Sequence, residues 1–199
     1  AGRNYADHIV EMGGAPDAAP PVFFEKPPSA LVCGNADVPW PRATADLHHE
    51  AELVLALGRP LRAASEAEAA AAVFGLATGV DLTRRDLQAE AKRRGGPWTA
   101  AKAFDASAPI SAIRPLQAPV QHLSGPVWLD VNDQRRQHGD LAQMLWQPPR
   151  LLAYLSGLFD LHPGDLVFTG TPAGVGPLQR GDHVAAGAAG APELHFRIV

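Results

Sequence analysis

Apolar and polar positions along this chain alternate in short blocks, and the blocks predict the elements. AELVLAL, GVDLT, VWLDVN and DLVFTG are rich in β-branched and apolar residues, end in turn signals, and read as strands. The C-terminal ELHFRIV alternates cleanly, as a half-buried strand does. Helices are predicted in three places. Ser65-Glu66-Ala67-Glu68 is a capping box, and Ala69–Ala72 behind it are strong helix formers. Thr83, with Asp86 three residues on, predicts the start of a second helix, RRDLQAEAKRR, which Gly95-Gly96-Pro97 ends. Pro148-Pro149 opens a third that runs through RLLAYLSGLF. No regular βαβ rhythm links the strands, so the order points to an α+β fold rather than a doubly wound sheet.

Composition narrows the function classes. With 199 residues, 46% hydrophobic and 19% charged, the chain can build one sizeable domain around a core. The net charge is −4 and there is no basic run, which argues against a nucleic-acid or anionic-membrane surface. Nineteen glycines and nineteen prolines suggest many turns, and Ala15–Pro28 reads as a long surface loop. A single cysteine, Cys33, excludes an intramolecular disulfide and is expected as a small buried hydrophobe. With no membrane-length apolar run and no signal-peptide pattern, the expected compartment is the cytoplasm.

Candidate chemistry starts with LHHEAELVLALG, residues 47–58. Side chains of a strand alternate faces, so Glu50 and Glu52 point the same way and repel each other. Asp81 stands where another apolar run gives way to Thr83-Arg84-Arg85. Three carboxylates form an oxygen-only set that suits Mg²⁺ or Mn²⁺ better than Zn²⁺. The E-x-E spacing is common, and an acidic strand edge paired with Arg84 or Lys102 stays open on this ground alone.

Three further constellations accompany it. His8 and Glu11 are i, i+3, so on a helix the carboxylate would orient the imidazole as a general base; two surface residues in a polar turn fit the spacing as well. Arg85 and Gln88 share a helical face, and with Lys102 they would suit a small keto-acid, although a solvated amphipathic helix has the same pattern. GDLVFTGTPAGVG lacks the Lys-Ser/Thr pair of a phosphate loop. It reads as a tight turn presenting Thr169, Thr171 and backbone N–H groups, or as a plain hairpin corner.

In this order, GRNYADHIVE, LHHEAEL, GVDLTRRDLQ, PWTAAKAFD and GDLVFTGTPAGVGP closely resemble the fumarylacetoacetate hydrolase superfamily over residues 2–198. The chain looks most like the compact members that act as acylpyruvate hydrolases or oxaloacetate decarboxylases. The resemblance implies one catalytic domain over 1–199, with a lid and loop region in 1–28, built as a mixed β-sandwich roll with peripheral helices. It implies Mg²⁺ or Mn²⁺ on Glu50, Glu52 and Asp81, and a water-activating dyad of His8 and Glu11. Arg85, Gln88 and Lys102 would face the substrate, Thr171 would meet its carboxylate, and the protein would be a homodimer.

The implied activity is hydrolysis of a C–C bond in a β-diketo acid, acylpyruvate or fumarylacetoacetate-like, through an enolate stabilised by the cation. Oxaloacetate decarboxylation and a 2-hydroxyhepta-2,4-diene-1,7-dioate-type isomerisation would share that site. A non-catalytic β-module holding a structural cation is the alternative from outside this class. Two departures from the family pattern stand out. Asn132-Asp133 replaces the usual Asn-Gly turn, and the family's short strand ahead of GRNY has no counterpart in this sequence.

Overall fold

The structure, a computed structural model, describes residues 1–15 and 20–199; residues 16–19, inside the stretch read as a surface loop, lie outside the described residues. The elements run α1 (Ala6–Glu11), β1 (Leu31–Val32), β2 (Leu47–His49), β3 (Ala51–Leu57), α2 (Glu66–Ala72), β4 (Val73–Val80), β5 (Thr83–Arg84), α3 (Arg85–Arg94), α4 (Thr99–Lys102), β6 (Ala108–Pro109), β7 (Arg114–Pro115), β8 (Pro126–Val131), β9 (Gln134–Asp140), α5 (Pro148–Ser156), β10 (Leu166–Phe168), β11 (Gly176–Pro177), β12 (His183–Ala188) and β13 (Leu194–Arg197). Two four-stranded sheets, β10-β3-β4-β7 and β13-β12-β8-β9, form the body. A three-stranded sheet, β11-β2-β5, and the parallel pair β1-β6 complete the strands. This is the expected α+β class, a mixed β-roll with helices at its periphery.

The two large sheets meet where β12 lies against β3 and β4, and β3 against β8. Leu53, Leu55, Leu76 and Val80 from one sheet share a core with Val127, Leu129, Val184 and Ala186 from the other. Each such leucine contributes about 1.5–3 kcal/mol by leaving water. Ala188 N–H donates to Thr78 Oγ1 at 3.1 Å and fastens the sheets to each other.

Every residue of β3 is buried, and the reason lies in its two faces. Leu53, Leu55 and Leu57 enter the main core, while Val54 packs with Ala77, Ile110, Leu166 and Phe168 on the opposite side. A strand covered on both faces has no need of alternation, which accounts for the unbroken Val54-Leu55-Ala56-Leu57.

The local signals hold in part. Ser65 and Glu68 make the reciprocal capping box at α2. Gly95 ends α3 in the left-handed conformation at φ 65, where a side chain would be strained. The expected Thr83 cap is wrong, because α3 starts at Arg85 and Thr83 is buried in β5. Asp86 instead accepts from Thr44 Oγ1 at 2.7 Å and from Ala45 N–H at 3.1 Å. The run read as one strand, GVDLT, breaks at Asp81: β4 ends at Val80 and pairing resumes in β5. The third helix stops at Ser156, before Gly157 rather than at Phe159.

Cys33 is exposed, not buried, because the chain leaves the two-residue β1 into left-handed Gly34 and Asn35. The described part of the Pro-rich stretch is irregular but not a surface loop throughout. Pro21 is buried and Val22 bridges to Gly2. At the β8–β9 turn, Asn132 and Asp133 take φ 51 and 61, the pair of left-handed residues that a type I′ hairpin demands. Asn132 offsets the strain by donating to Asp182 Oδ1 at 2.8 Å and accepting from His183 N–H at 2.9 Å. No helix among the described residues is long and apolar enough to cross a membrane.

Candidate active site

The β2–β3 junction and the end of β4 build the centre of the site. Ala51 pairs with Val80, and Asp81 N–H donates to Glu50 O at 2.8 Å, so the break after Val80 brings Asp81 beside Glu50. Glu50, Glu52 and Asp81 are buried, and one oxygen from each lies within 4.8 Å of the others. Three cations surround them. Lys102 Nζ donates to Glu50 Oε2 and Asp81 Oδ2 at 2.7 Å and to Thr83 Oγ1 at 2.6 Å. Arg85 donates to Glu50 Oε1 at 2.7 Å and to Gln88 Oε1 at 2.6 Å. Lys26 Nζ approaches Asp81 Oδ1 to 2.8 Å and donates to Ser107 Oγ at 2.9 Å.

The two glutamates, only two positions apart, are driven in opposite directions. Burial raises the Glu50 carboxyl, but Lys102 and Arg85 outweigh it and hold the group well below the usual carboxylate range. Among the described residues no cationic side chain pairs with Glu52. Burial pushes it up to about 7; the Ala1 ammonium opposes this, the Asp81 and Glu50 carboxylates add to it, and Gly170 N–H, which donates to Oε2 at 2.6 Å, opposes it weakly. Burial lowers the Lys102 ammonium, yet Asp81 and Glu50 prevail and raise it. Lys26, also buried, is lowered despite Asp81.

This donor set fits a divalent cation. It offers only carboxylate oxygens, as a hard ion requires. Among the described residues Asp81 Oδ1 is buried with only the Lys26 ion pair to meet it, and no cationic side chain pairs with Glu52. Three carboxylates face Lys26, Arg85 and Lys102, so a bound divalent ion leaves the cluster net positive and ready for an anion.

α1 carries both His8 and Glu11. His8 Nδ1 lies 3.1 Å from Glu11 Oε2, the i, i+3 pairing that the spacing suggests. Glu11 Oε1 accepts from Gly174 N–H at 2.9 Å, which ties the helix to the Gly-rich turn. His8, Glu50, Glu52, Asp81, Arg85, Gln88, Lys102 and Thr171 line one cleft, and Glu11 stands behind His8. Of the two threonines in the turn, Thr169 is buried and donates to Leu53 O at 2.9 Å, leaving Thr171 to the cleft. Arg3, Phe24, Lys92 and Trp98 line the same cleft. Arg3 sits at φ 66 between a bridged Gly2 and a buried Asn4 whose side chain makes three hydrogen bonds. A non-glycine held there stores strain, the kind of residue that clusters at ligand sites.

Sequence reading missed Lys26, Arg3, Lys92 and Gln137. One signal was available for the lysines: the chain has only Lys26, Lys92 and Lys102, and all three stand at this site.

The whole chain, residues 1–199, matches the fumarylacetoacetate (FAA) hydrolase C-terminal family. It is 42% identical over 197 residues to the mitochondrial oxaloacetate tautomerase FAHD1 of Bos taurus, covering 99% of this chain and 89% of that protein. The crystal structure of fumarylpyruvate hydrolase from Pseudomonas aeruginosa in complex with Mn²⁺ and pyruvate superposes with a TM-score of 0.95 at 41% identity, over 100% of this chain and 87% of that one. The 2-hydroxyhepta-2,4-diene-1,7-dioate isomerase from Mycobacterium marinum gives 0.85 at 32% identity, over 100% and 72%. Those names span a tautomerase, a hydrolase and an isomerase, and the non-catalytic module considered from sequence has no counterpart among them. The chain belongs to the fumarylacetoacetate hydrolase family and is an enzyme of that family.

Proposed function

We propose that this protein hydrolyses the C–C bond of an acylpyruvate, releasing pyruvate and a carboxylic acid. The observation that carries this reading is the His8–Glu11 pair, fastened by Gly174 and sharing a cleft with three clustered carboxylates. Hydrolysis needs a base for water, and a structural cation alone does not.

Glu50, Glu52 and Asp81 would hold Mg²⁺ or Mn²⁺; the Mn²⁺ and pyruvate in the similar hydrolase support that choice. When bound, the cation supplies positive charge for the enolate oxygen that forms when the C–C bond breaks. Arg85, Gln88 and Thr171 would orient the pyruvate unit and its carboxylate. Glu11 accepts from His8 Nδ1–H, which keeps Nε2 bare to take a proton from water. The hydroxide adds to the distal acyl carbon, the bond to the pyruvate methylene breaks, and its electron pair passes to the enolate. A proton returned to that methylene gives pyruvate, and the acyl group leaves as the acid. Lys102 would keep the cluster cationic as charge develops.

Arg3 and Lys92 have no carboxylate partner within salt-bridge distance among the described residues and would suit a second carboxylate, which favours a fumarylpyruvate-like diacid. Proton transfer on oxaloacetate is a second reading, supported by the 42% identical tautomerase, and it requires no attacking water. The isomerisation and decarboxylation considered from sequence fall in the same group. We also propose a homodimer, since the exposed Phe74, Leu158 and Phe159 offer apolar surface for a second copy to cover. A cytoplasmic setting is consistent with the exposed free Cys33, which persists as a thiol in a reducing compartment.

Turnover of fumarylpyruvate in isotopically labelled water tests the reaction class. Hydrolysis places one labelled oxygen in the released acid. Consumption of oxaloacetate alone, with no labelled acid from any acylpyruvate, would transfer the assignment to tautomerisation or decarboxylation.

A further inference from the structure

Gln137 is fully buried in β9, an edge strand of its sheet, and its side-chain amide meets four partners from other segments. Oε1 accepts from Ala51 N–H and from His49 Nδ1, each at 2.9 Å. Nε2 donates to Thr171 Oγ1 at 2.8 Å and to Pro172 O at 3.0 Å. A primary amide has two donors and two acceptor sites, so its whole capacity is used inside the protein.

Two of these partners fix which way round the amide sits. The Ala51 N–H can only donate and the Pro172 carbonyl can only accept. Flipping the amide would set N–H against N–H and oxygen against oxygen around a side chain that is fully buried. The remaining polarities follow. His49 carries its proton on Nδ1, and Thr171 Oγ1 accepts on its inner side. A hydroxyl has one proton. That of Thr171 has no acceptor among the hydrogen bonds of the described residues, and Thr171 lines the cleft.

We propose that Gln137 is a positioning residue that makes Thr171 a hydrogen-bond donor toward the carboxylate of the substrate. Through the same amide it holds Ala51, the residue between Glu50 and Glu52. One buried side chain thus sets the anion-binding turn and the cation-binding strand against each other. The inference rests on the reading above in which Thr171 meets the substrate carboxylate. It goes beyond it in assigning a polarity, which shape alone would not require.

The test is a double-mutant cycle on Mn²⁺-loaded protein, read as the dissociation constant for pyruvate. Gln137→Met and Thr171→Val are each expected to weaken pyruvate about tenfold, the scale of one hydrogen bond to a charged group. Together they should be no more than about twofold worse than Thr171→Val alone, because with Mn²⁺ already bound the effect of Gln137 on pyruvate runs through the Thr171 hydroxyl. Losses that multiply, or unchanged pyruvate binding in Gln137→Met, would overturn the proposal.

Should Gln137→Met fail to fold, Gln137→Glu serves. It keeps the acceptor for Ala51 N–H but turns the Thr171 proton inward. Its penalty must also vanish in the Thr171→Val background; a penalty that persists there is repulsion by the added charge and counts against the proposal. Cleavage of fumarylpyruvate is measured alongside. Coupled losses without cleavage would remove the hydrolase reading and leave Gln137 its role, and cleavage with uncoupled losses would do the reverse. A wild-type protein that binds no pyruvate ends the proposal outright.

Discussion

Gly174 N–H donates to Glu11 Oε1 at 2.9 Å, joining the first helix of the chain to a turn 163 residues later. The bond leaves Glu11 Oε2 for His8 Nδ1, so the dyad is held from behind by backbone. Gly174 sits at φ 95, and a Cβ there would stand 2.3 Å from Arg136 O. Gly174→Ala should therefore displace the turn and release Glu11. A loss of about 10²-fold in kcat is expected, within the range attributed to a positioned base, with cation affinity unchanged. Steady-state kinetics alongside Mn²⁺ titration would check both halves of that statement.

The metal-free site should bind its cation poorly in acid. Glu52, raised to about 7, must lose its proton before it can act as a ligand. Mn²⁺ affinity is expected to fall up to about tenfold per pH unit below that value, and to level off above it. Calorimetric titrations across the range, in buffers of different ionisation enthalpy, would also count the proton released.

The same carboxyl gives a stability signature. A carboxyl raised from 4.5 to about 7 favours the fold below the unfolded value and loses that contribution as pH rises through 7. Buried His49, lowered to about 4, acts oppositely because the unfolded ring takes a proton that the folded one refuses. The Glu52 effect is thus read as a difference. Without metal, wild type should lose stability relative to Glu52→Gln between about pH 4.5 and 7, the span bounded by the unfolded and folded values of that carboxyl. Thermal unfolding in chelator would show it.

Arg3 and Lys92 should sort substrates by their far end. Arg3→Gln and Lys92→Gln are expected to lower kcat/KM for fumarylpyruvate about tenfold each, while acetylpyruvate, without the second carboxylate, changes less than about twofold. Equal losses on both substrates would place these side chains at the pyruvate end instead.

Much of the candidate site's geometry was legible because its residues fall in short motifs. Glu50 and Glu52 announced themselves by running like charges into an apolar strand, and the structure gives the physical reason: both faces of β3 are covered. His8 and Glu11 were legible as an i, i+3 pair. What sequence could not deliver depended on distant packing. Thr83 looked like a helix cap because cap signatures are local, whereas its hydroxyl is held by Lys102 from another helix. Lys26 reaches Asp81 from an irregular segment with no periodicity to read. Gln137 lies in a polar strand, QRRQHGD, where nothing local separates the one buried glutamine from its exposed neighbours. Cys33 was misjudged from the average habit of its residue type, against a turn that only the fold reveals.

The most direct test is cleavage of fumarylpyruvate by wild type and His8→Ala, each stripped with chelator and then reloaded with Mg²⁺ or Mn²⁺. Stripped wild type should be inactive and recover with either cation; His8→Ala should bind Mn²⁺ as wild type does yet stay slower by about 10²-fold or more. Turnover that survives chelation, or a His8→Ala variant as fast as wild type, would contradict a metal-dependent hydrolase built on this dyad.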